Sequence, residues 1–305
     1  MRTALVTSIV LWRALALGAV LNVEFKFAPY TGDLEQDHVD TVPGRAEVFL
    51  NDVPIAVDEV RAGSVPVLFE EREIAPAVWV PVASLGQAVR KGKNVLRIAF
   101  EPTDAKVAYR AQLRWASVTD QAREEREPGS YKGTNQEAEG VENKEATGKV
   151  VFEREFSADF AQDQPWHHYP PVARLTDEDR QKLGALVVER GGWFAPDFAA
   201  LYKGLEGNPN IDVAQVRKTR CLDAAYKAGA RVKAPRADEL EFVTTGHPEV
   251  VIRRKGGSLF VPDPGHLASI KSEETQMCAG AALQLAFPPR LVVVRTPAGA
   301  WQVVY

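Results

Sequence analysis

The residues best equipped for chemistry lie in one short run, Asp163-Gln164-Pro165-Trp166-His167-His168-Tyr169-Pro170-Pro171. Imidazoles ligate metals and carry protons, and rings such as Trp166 and Tyr169 stack on a sugar or on a partner's side chain. On an extended chain adjacent histidines point to opposite sides, so His167 and His168 are not expected to share one metal ion. The flanking prolines favour an extended or polyproline backbone, which predicts a rigid strap over residues 161–175. Two readings of its rings stand side by side. Trp166, His167, His168 and Tyr169 form a ligand-binding edge, or the aromatics pack parts of the chain together, the ordinary fate of large rings.

Three weaker features complete the chemical inventory. Asp33, Glu35 and Asp37, with Asp40 and His38 close by, could offer oxygen ligands to calcium, although the glycine and closing glutamate of a calcium-binding loop are missing. A solvated turn is the competing reading. The run Glu70-Glu71-Arg72-Glu73 offers further carboxylates and reads as a charged, solvated face. Cys221 and Cys278 would form one disulfide in an oxidising compartment, closing a loop worth roughly 4 kcal/mol, or remain as two inert thiols. No nucleophile elbow, zinc-protease helix, phosphate loop or dinucleotide fingerprint occurs. No cofactor is therefore expected, and calcium is the one ion with a candidate site.

Composition narrows the class. A net charge of -4 argues against a nucleic-acid binder, which would show a basic stripe. No apolar run reaches the ~18 residues of a membrane span. At 305 residues the chain is longer than one core usually serves, which predicts two domains. Arg2, the apolar run Ala4–Trp12 and the small residues at Ala16-Leu17-Gly18 give residues 1–21 the outline of a secretory leader, interrupted by Arg13. A leader would place the protein in the periplasm or outside the cell. A misassigned start, or an ordinary first element, is the alternative.

The elements that must position these residues follow from periodicity. Val23, Phe25 and Phe27 alternate with polar neighbours, as do Ala46, Val48 and Leu50, and Leu96, Ile98 and Phe100. Tyr109, Ala111, Leu113 and Trp115 alternate with Arg110, Gln112 and Arg114. Residues 22–160 therefore read as an antiparallel β-sandwich. Within it, residues 119–149 are too polar to offset their ordering entropy and read as a mobile loop. Residues 176–305 read as an α+β domain: a capped helix from Thr176, a second across Phe198 to Leu205, and a third from Val213 to Ala228. Strands follow over 239–245, 250–254, 258–261, 279–287, 291–295 and 301–305, as a curved antiparallel sheet.

Two resemblances attach to these segments. Leu50-Asn51-Asp52-Val53-Pro54, Pro66-Val67-Leu68-Phe69, Val80-Pro81-Val82-Ala83-Ser84-Leu85 and Lys91-Gly92-Lys93-Asn94-Val95-Leu96 resemble the galactose-binding-like jelly-roll sandwiches, accessory domains of glycoside hydrolases. There Gly92 would supply a positive φ, and Asn94 would take a left-handed backbone or bond its own main chain. The closing Val293-Val294-Arg295 and Gly299-Ala300-Trp301-Gln302-Val303-Val304 are similar to the nuclear transport factor 2-like cone fold. The first resemblance implies binding or bracing, and the second is compatible with enzymes and binding modules alike. The expected function is an exported, non-catalytic binding or scaffolding protein of the cell envelope with a glycan or protein partner. The alternative is a hydrolase with its pocket in the C-terminal domain.

Overall fold

The computed structural model describes residues 20–68, 72–119, 137–206, 208, 211–263 and 266–305. The expected leader lies outside these residues up to Val20, where the first strand begins. Among the described residues eleven strands come first: β1 (Val20–Thr31), β2 (His38–Thr41), β3 (Gly44–Leu50), β4 (Val53–Val60), β5 (Gly63–Leu68), β6 (Glu73–Ile74), β7 (Val78–Pro81), β8 (Gly92–Pro102), β9 (Ala108–Thr119), β10 (Glu137–Thr147) and β11 (Val150–Ala158). Helices α1 (Asp177–Gly191), α2 (Ala199–Leu205), α3 (Val213–Thr219) and α4 (Cys221–Lys227) follow. Then come β12 (Val232–Lys233), β13 (Leu240–Thr244), β14 (Glu249–Arg254), β15 (Val261–Pro262), α5 (Glu273–Ala286), β16 (Leu291–Arg295) and β17 (Trp301–Val303). The chain forms two compact units. One holds residues up to Ala46, Asp58–Asn94 and Ala99–Ala161; the other holds Glu47–Val57, Val95–Ile98 and Gln162–Tyr305.

The first unit is largely antiparallel sheet, consistent with a β-sandwich. A seven-stranded sheet runs β10-β9-β1-β2-β5-β6, with β7 also paired to β1, and a four-stranded sheet runs β11-β8-β3-β4. The alternating apolar rows of β1 and β9 supply one side of the core. Phe27 meets Phe100 and Phe152 at 5.6 and 5.7 Å, and Phe25 meets Phe156 at 5.4 Å. Phe25, Phe27, Phe100 and Phe152 are fully buried and Phe156 half-buried, and aromatic pairs of this kind add about 0.5–1.5 kcal/mol each beyond their area.

The seven-stranded sheet curls on itself. Laid flat, β6 would sit four strands from β9, about 19 Å at the usual strand spacing. Yet Glu73 on β6 lies 2.8 Å from Lys26 on β1 and 3.9 Å from Arg114 on β9. Ala28 and Tyr30 likewise pack against Val39 and Ile74 in a small core inside the curl, with Val65 and Val67 beside them. The sheet is a half-barrel, clasped by one carboxylate between two cations. This corrects the expectation for the run at 70–73: Glu73 is not solvated, its side chain being only 15 % exposed.

The polar stretch expected as a mobile loop divides. Residues 120–136 lie outside the described residues, whereas Glu137–Thr147 form β10, paired along β9 from Glu137↔Ser117 to Thr147↔Ala108. Composition misleads here because an edge strand needs only one paired side, and charged side chains on it discourage further pairing. Gly140 is required by close approach, since a Cβ there would come 2.5 Å from the Trp115 ring.

The turn at 92–94 uses both of its predicted devices. Gly92 takes φ 84°, and Asn94, almost wholly buried, bonds local main chain instead of adopting a left-handed backbone itself. Its Nδ2 donates to the Arg90 and Gly92 carbonyls at 2.7 and 2.9 Å, and its Oδ1 accepts from the Arg90 amide at 3.0 Å. Asn94→Ala is expected to cost about 2–3 kcal/mol by orphaning these buried groups, measured as a shift of the urea midpoint at unchanged slope.

In the second unit, helices precede sheet, with one helix interposed. Thr176 caps α1 through the Asp179 amide, as the sequence implies. The expected third helix is two, α3 and α4, because Arg220 adopts a left-handed φ of 54° between them. Thr219 competes for the helical bonds there, its hydroxyl bonding the Gln215 carbonyl at 3.0 Å. The strand expected over 279–287 is instead α5, capped by Ser272. Its buried residues Ala279, Ala282, Leu283 and Ala286 recur at helical spacing, a period hidden in a run where Gln284 is the one polar residue. The strand expected over 258–261 shrinks to β15, paired with β12.

The sheet β13-β14-β16-β17 is covered on both faces. Val250, Ile252, Leu291 and Val293 face the helices in the larger core. Val251 and Val292 face Val53 and Ile55 of the β3–β4 hairpin. Arg253 pairs with both Glu47 and Glu241 at 2.7 Å, and Arg290 donates to the Pro54 carbonyl at 3.2 Å. This second apolar face explains why residues 47–57 belong with the C-terminal half.

Candidate functional site

The structure places the sequence-predicted residues in three separate surroundings. In the strap, Pro165–His168 is a single 3₁₀ turn rather than extended chain. Proline favours extension in the residue before it, and it also suits the first position of a helical turn, which is the role Pro165 takes. The turn brings both histidines to one carboxylate: His167 Nδ1 lies 3.3 Å and His168 Nε2 2.6 Å from the two oxygens of Asp163. Their hydrogen bonds, that of His168 foremost, hold the Asp163 carboxyl below its ordinary range. Trp166 is half-buried and set edge-on to His167 at 5.7 Å, and Tyr169 is half-buried.

The acidic loop gathers no common centre. Glu35 pairs with Arg72 at 2.6 Å, Asp33 accepts from the Glu35 amide at 3.0 Å, and the Asp37 carbonyl is taken by the Val67 amide. Among the described residues no three His, Cys, Asp or Glu side chains converge to hold a metal ion. Cys221 and Cys278 are joined in a disulfide with Cα atoms 6.0 Å apart, tying α4 to α5.

A different site emerges at the mouth of the half-barrel. Residues directly opposite on paired strands share a face. The register therefore lays Tyr30, Arg110 and Glu145 in one row, Ala28, Gln112 and Asn143 in the next, and Lys26, Arg114 and Val141 in a third, with Trp79 beside Lys26. Gln112 donates to Asn143 at 3.2 Å, and the third row ends in the Glu73 clasp. At the first row a cleft of ≈ 500 Å³ opens, lined by Tyr30, Thr31, Tyr109, Arg110, Glu145 and Thr147 among others. It sits where the ends of β1, β9 and β10 meet.

The electrostatics of the cleft suit binding. Burial pushes the Tyr30 phenol up, against the opposing charge and hydrogen bond of Arg110, so the hydroxyl stays protonated at neutral pH. Burial also raises Tyr109 to about 12, and its hydroxyl donates to the Gly148 carbonyl at 2.7 Å. Arg110 and Glu145 form an open pair, Nε to Oε1 3.5 Å, with side chains 49 % and 82 % exposed. The cleft thus offers hydroxyls, a permanent cation and an exposed carboxylate within one concavity.

The sequence marks Arg110, Gln112 and Arg114 only as the polar positions that alternate with Tyr109, Ala111, Leu113 and Trp115. The signal available was the pairing of long polar residues on β9 with Lys26 and Tyr30 on β1. The curl that encloses them depends on Glu73, a contact 41 residues from Arg114. Comparison with known families, with curated proteins and with solved structures finds no match.

Proposed function

We propose that the protein is an exported, non-catalytic binding protein of the cell envelope, acting in the periplasm or outside the cell, whose half-barrel mouth takes a saccharide. The observation that carries this reading is the cleft itself, an open concavity rich in hydroxyl, guanidinium and carboxylate groups at a barrel mouth. A peptide partner would call for a desolvated apolar anchor pocket, and this lining offers small and polar residues instead. The Cys221–Cys278 bridge supports export, because disulfides persist in oxidising compartments. The turns at Asn51 and Asn94 support a galactose-binding-like kinship for the sandwich, and the β16–β17 hairpin, closed by Thr296 and Ala300, supports a cone-fold kinship for the second unit.

The test is a glycan panel probed with the full-length chain and with Arg110→Ala. At least one saccharide class should bind without being consumed, and Arg110→Ala should weaken it by roughly tenfold, the loss of one charge-assisted contact. A panel without binding, or binding indifferent to Arg110, ends the proposal. Turnover of the bound glycan would favour the hydrolase instead.

A further inference from the structure

We propose that the mouth of the half-barrel selects acidic saccharides, with a hexuronate carboxylate seated on Arg110, which Tyr30 braces. The inference rests on the saccharide reading and deepens it.

Three observations carry it. First, Arg110 is available. Its ion-pair partner Glu145 is 82 % exposed and 3.5 Å away, and surface pairs of this kind contribute about 0–1 kcal/mol. A guanidinium fork in that situation gains by exchanging a mobile, solvated partner for a carboxylate held bidentately. Second, Tyr30 stands beside Arg110 in register and lines the cleft; only 1 % exposed, it acts as a fixed hydrogen-bonding brace for the guanidinium. Third, the charges on this face are unevenly arranged. Arg110 is the cation at the mouth, while Arg114 and Lys26 face the same side four positions along their strands, about 13 Å away, and share the inner carboxylate Glu73. Glu145 stands on the rim, exposed and screened. Glu24 faces the same side but lies six positions along β1 from Tyr30, about 20 Å away and beyond the Debye length at physiological salt. At the mouth itself the balance is therefore Arg110 against the exposed, screened Glu145.

The remaining lining fits the rest of such a ligand. Thr31 and Thr147 offer hydroxyls, and Glu145 on the rim can accept from sugar hydroxyls. Further along the face, the Gln112–Asn143 pair and exposed Trp79 continue the polar and aromatic surface away from the mouth.

Titration calorimetry should compare a hexuronate oligosaccharide with the neutral hexose oligosaccharide of the same linkage, against the full chain, Arg110→Gln and Glu145→Gln. Both substituted side chains are substantially exposed, so the variants should keep the parent's melting temperature. The uronate is expected to bind about tenfold or more tighter than its neutral counterpart, in a manner weakened by salt. Arg110→Gln should abolish that preference, and Glu145→Gln should strengthen uronate binding. If the neutral sugar binds as well, if Arg110→Gln leaves the preference intact, or if Glu145→Gln weakens uronate binding, the acidic selectivity is wrong while saccharide binding stands. Should neither oligosaccharide bind, and no other glycan on the panel either, the saccharide reading fails with it.

Discussion

Replacing Asp179 by alanine is expected to remove about 2–3 kcal/mol of stability, since it strips one shared acceptor from the partly exposed Arg295 guanidinium, the half-buried Trp301 indole and the Thr176 cap at once. The carboxylate sits at the third position of α1, and its Oδ2 accepts from the Thr176 amide and hydroxyl at 2.9 and 2.8 Å. Its Oδ1 accepts from the Trp301 indole at 3.2 Å and from Arg295 at 2.5 Å. One side chain therefore fastens the start of a helix to the hairpin that ends the sheet. Burial alone would raise its pKa. The Thr176 backbone and hydroxyl, then Arg295 and Trp301, outweigh that and bring it to about 2.

The sign of the pH dependence follows directly. A carboxyl whose folded pKa lies below its unfolded value, ordinarily near 4, contributes stability that is fully present above that unfolded value. The contribution, about 2 kcal/mol, is lost as pH falls from about 4 toward 2. Urea titrations of the parent and Asp179→Asn should therefore converge at low pH, with the parent showing the steeper acid loss. Parallel curves would mean that the carboxylate's charge contributes nothing through these contacts. Trp301 fluorescence should report the same transition locally.

The contacts around Asp179 also mark where sequence reading succeeds. The capping box at Thr176 and Asp179 and the hairpin at Gly299 each fit within a few residues, so local backbone chemistry announces them. The β1 and β9 alternation is equally local and correctly separates core from polar side. What local pattern cannot supply is the fate of that polar side. Arg110, Gln112 and Arg114 read only as polar positions because nothing within their own strand encloses them; the wall is β2-β5-β6, folded over from elsewhere in the chain. The α5 segment fails for a different reason, because between Ala279 and Phe287 only Gln284 is polar, too little to reveal the period. The extended backbone expected around His167 and His168 fails for a third, since Pro165 fits either an extended strap or the first step of a turn, and the turn is what forms.

The wall itself supplies the second large effect. Glu73→Ala should cost about 3–5 kcal/mol, because it leaves Lys26 and Arg114, with side chains only 26 % and 12 % exposed, as like charges facing each other without their shared carboxylate. Glu73→Gln keeps the shape and one acceptor, and should retain part of the loss through its missing charge. The damage should be directional. Hydrogen exchange should quicken in β5 and β6, which the clasp holds over β1, while Phe27, Phe100 and Phe152 on the opposite side of the sheet stay packed and the far strands remain protected. A curl held by packing alone would respond otherwise: Ala28, Tyr30, Val39 and Ile74 would keep β6 in place, and exchange there would not change. Because Tyr30 belongs both to that small core and to the cleft, loosening the clasp should also widen the mouth and weaken saccharide binding in Glu73→Gln, even though Glu73 lies two rows away from Arg110. Lost binding together with quickened exchange in β6 would assign the clasp the task of shaping the site, whereas intact binding in a destabilised Glu73→Gln variant would confine it to stability.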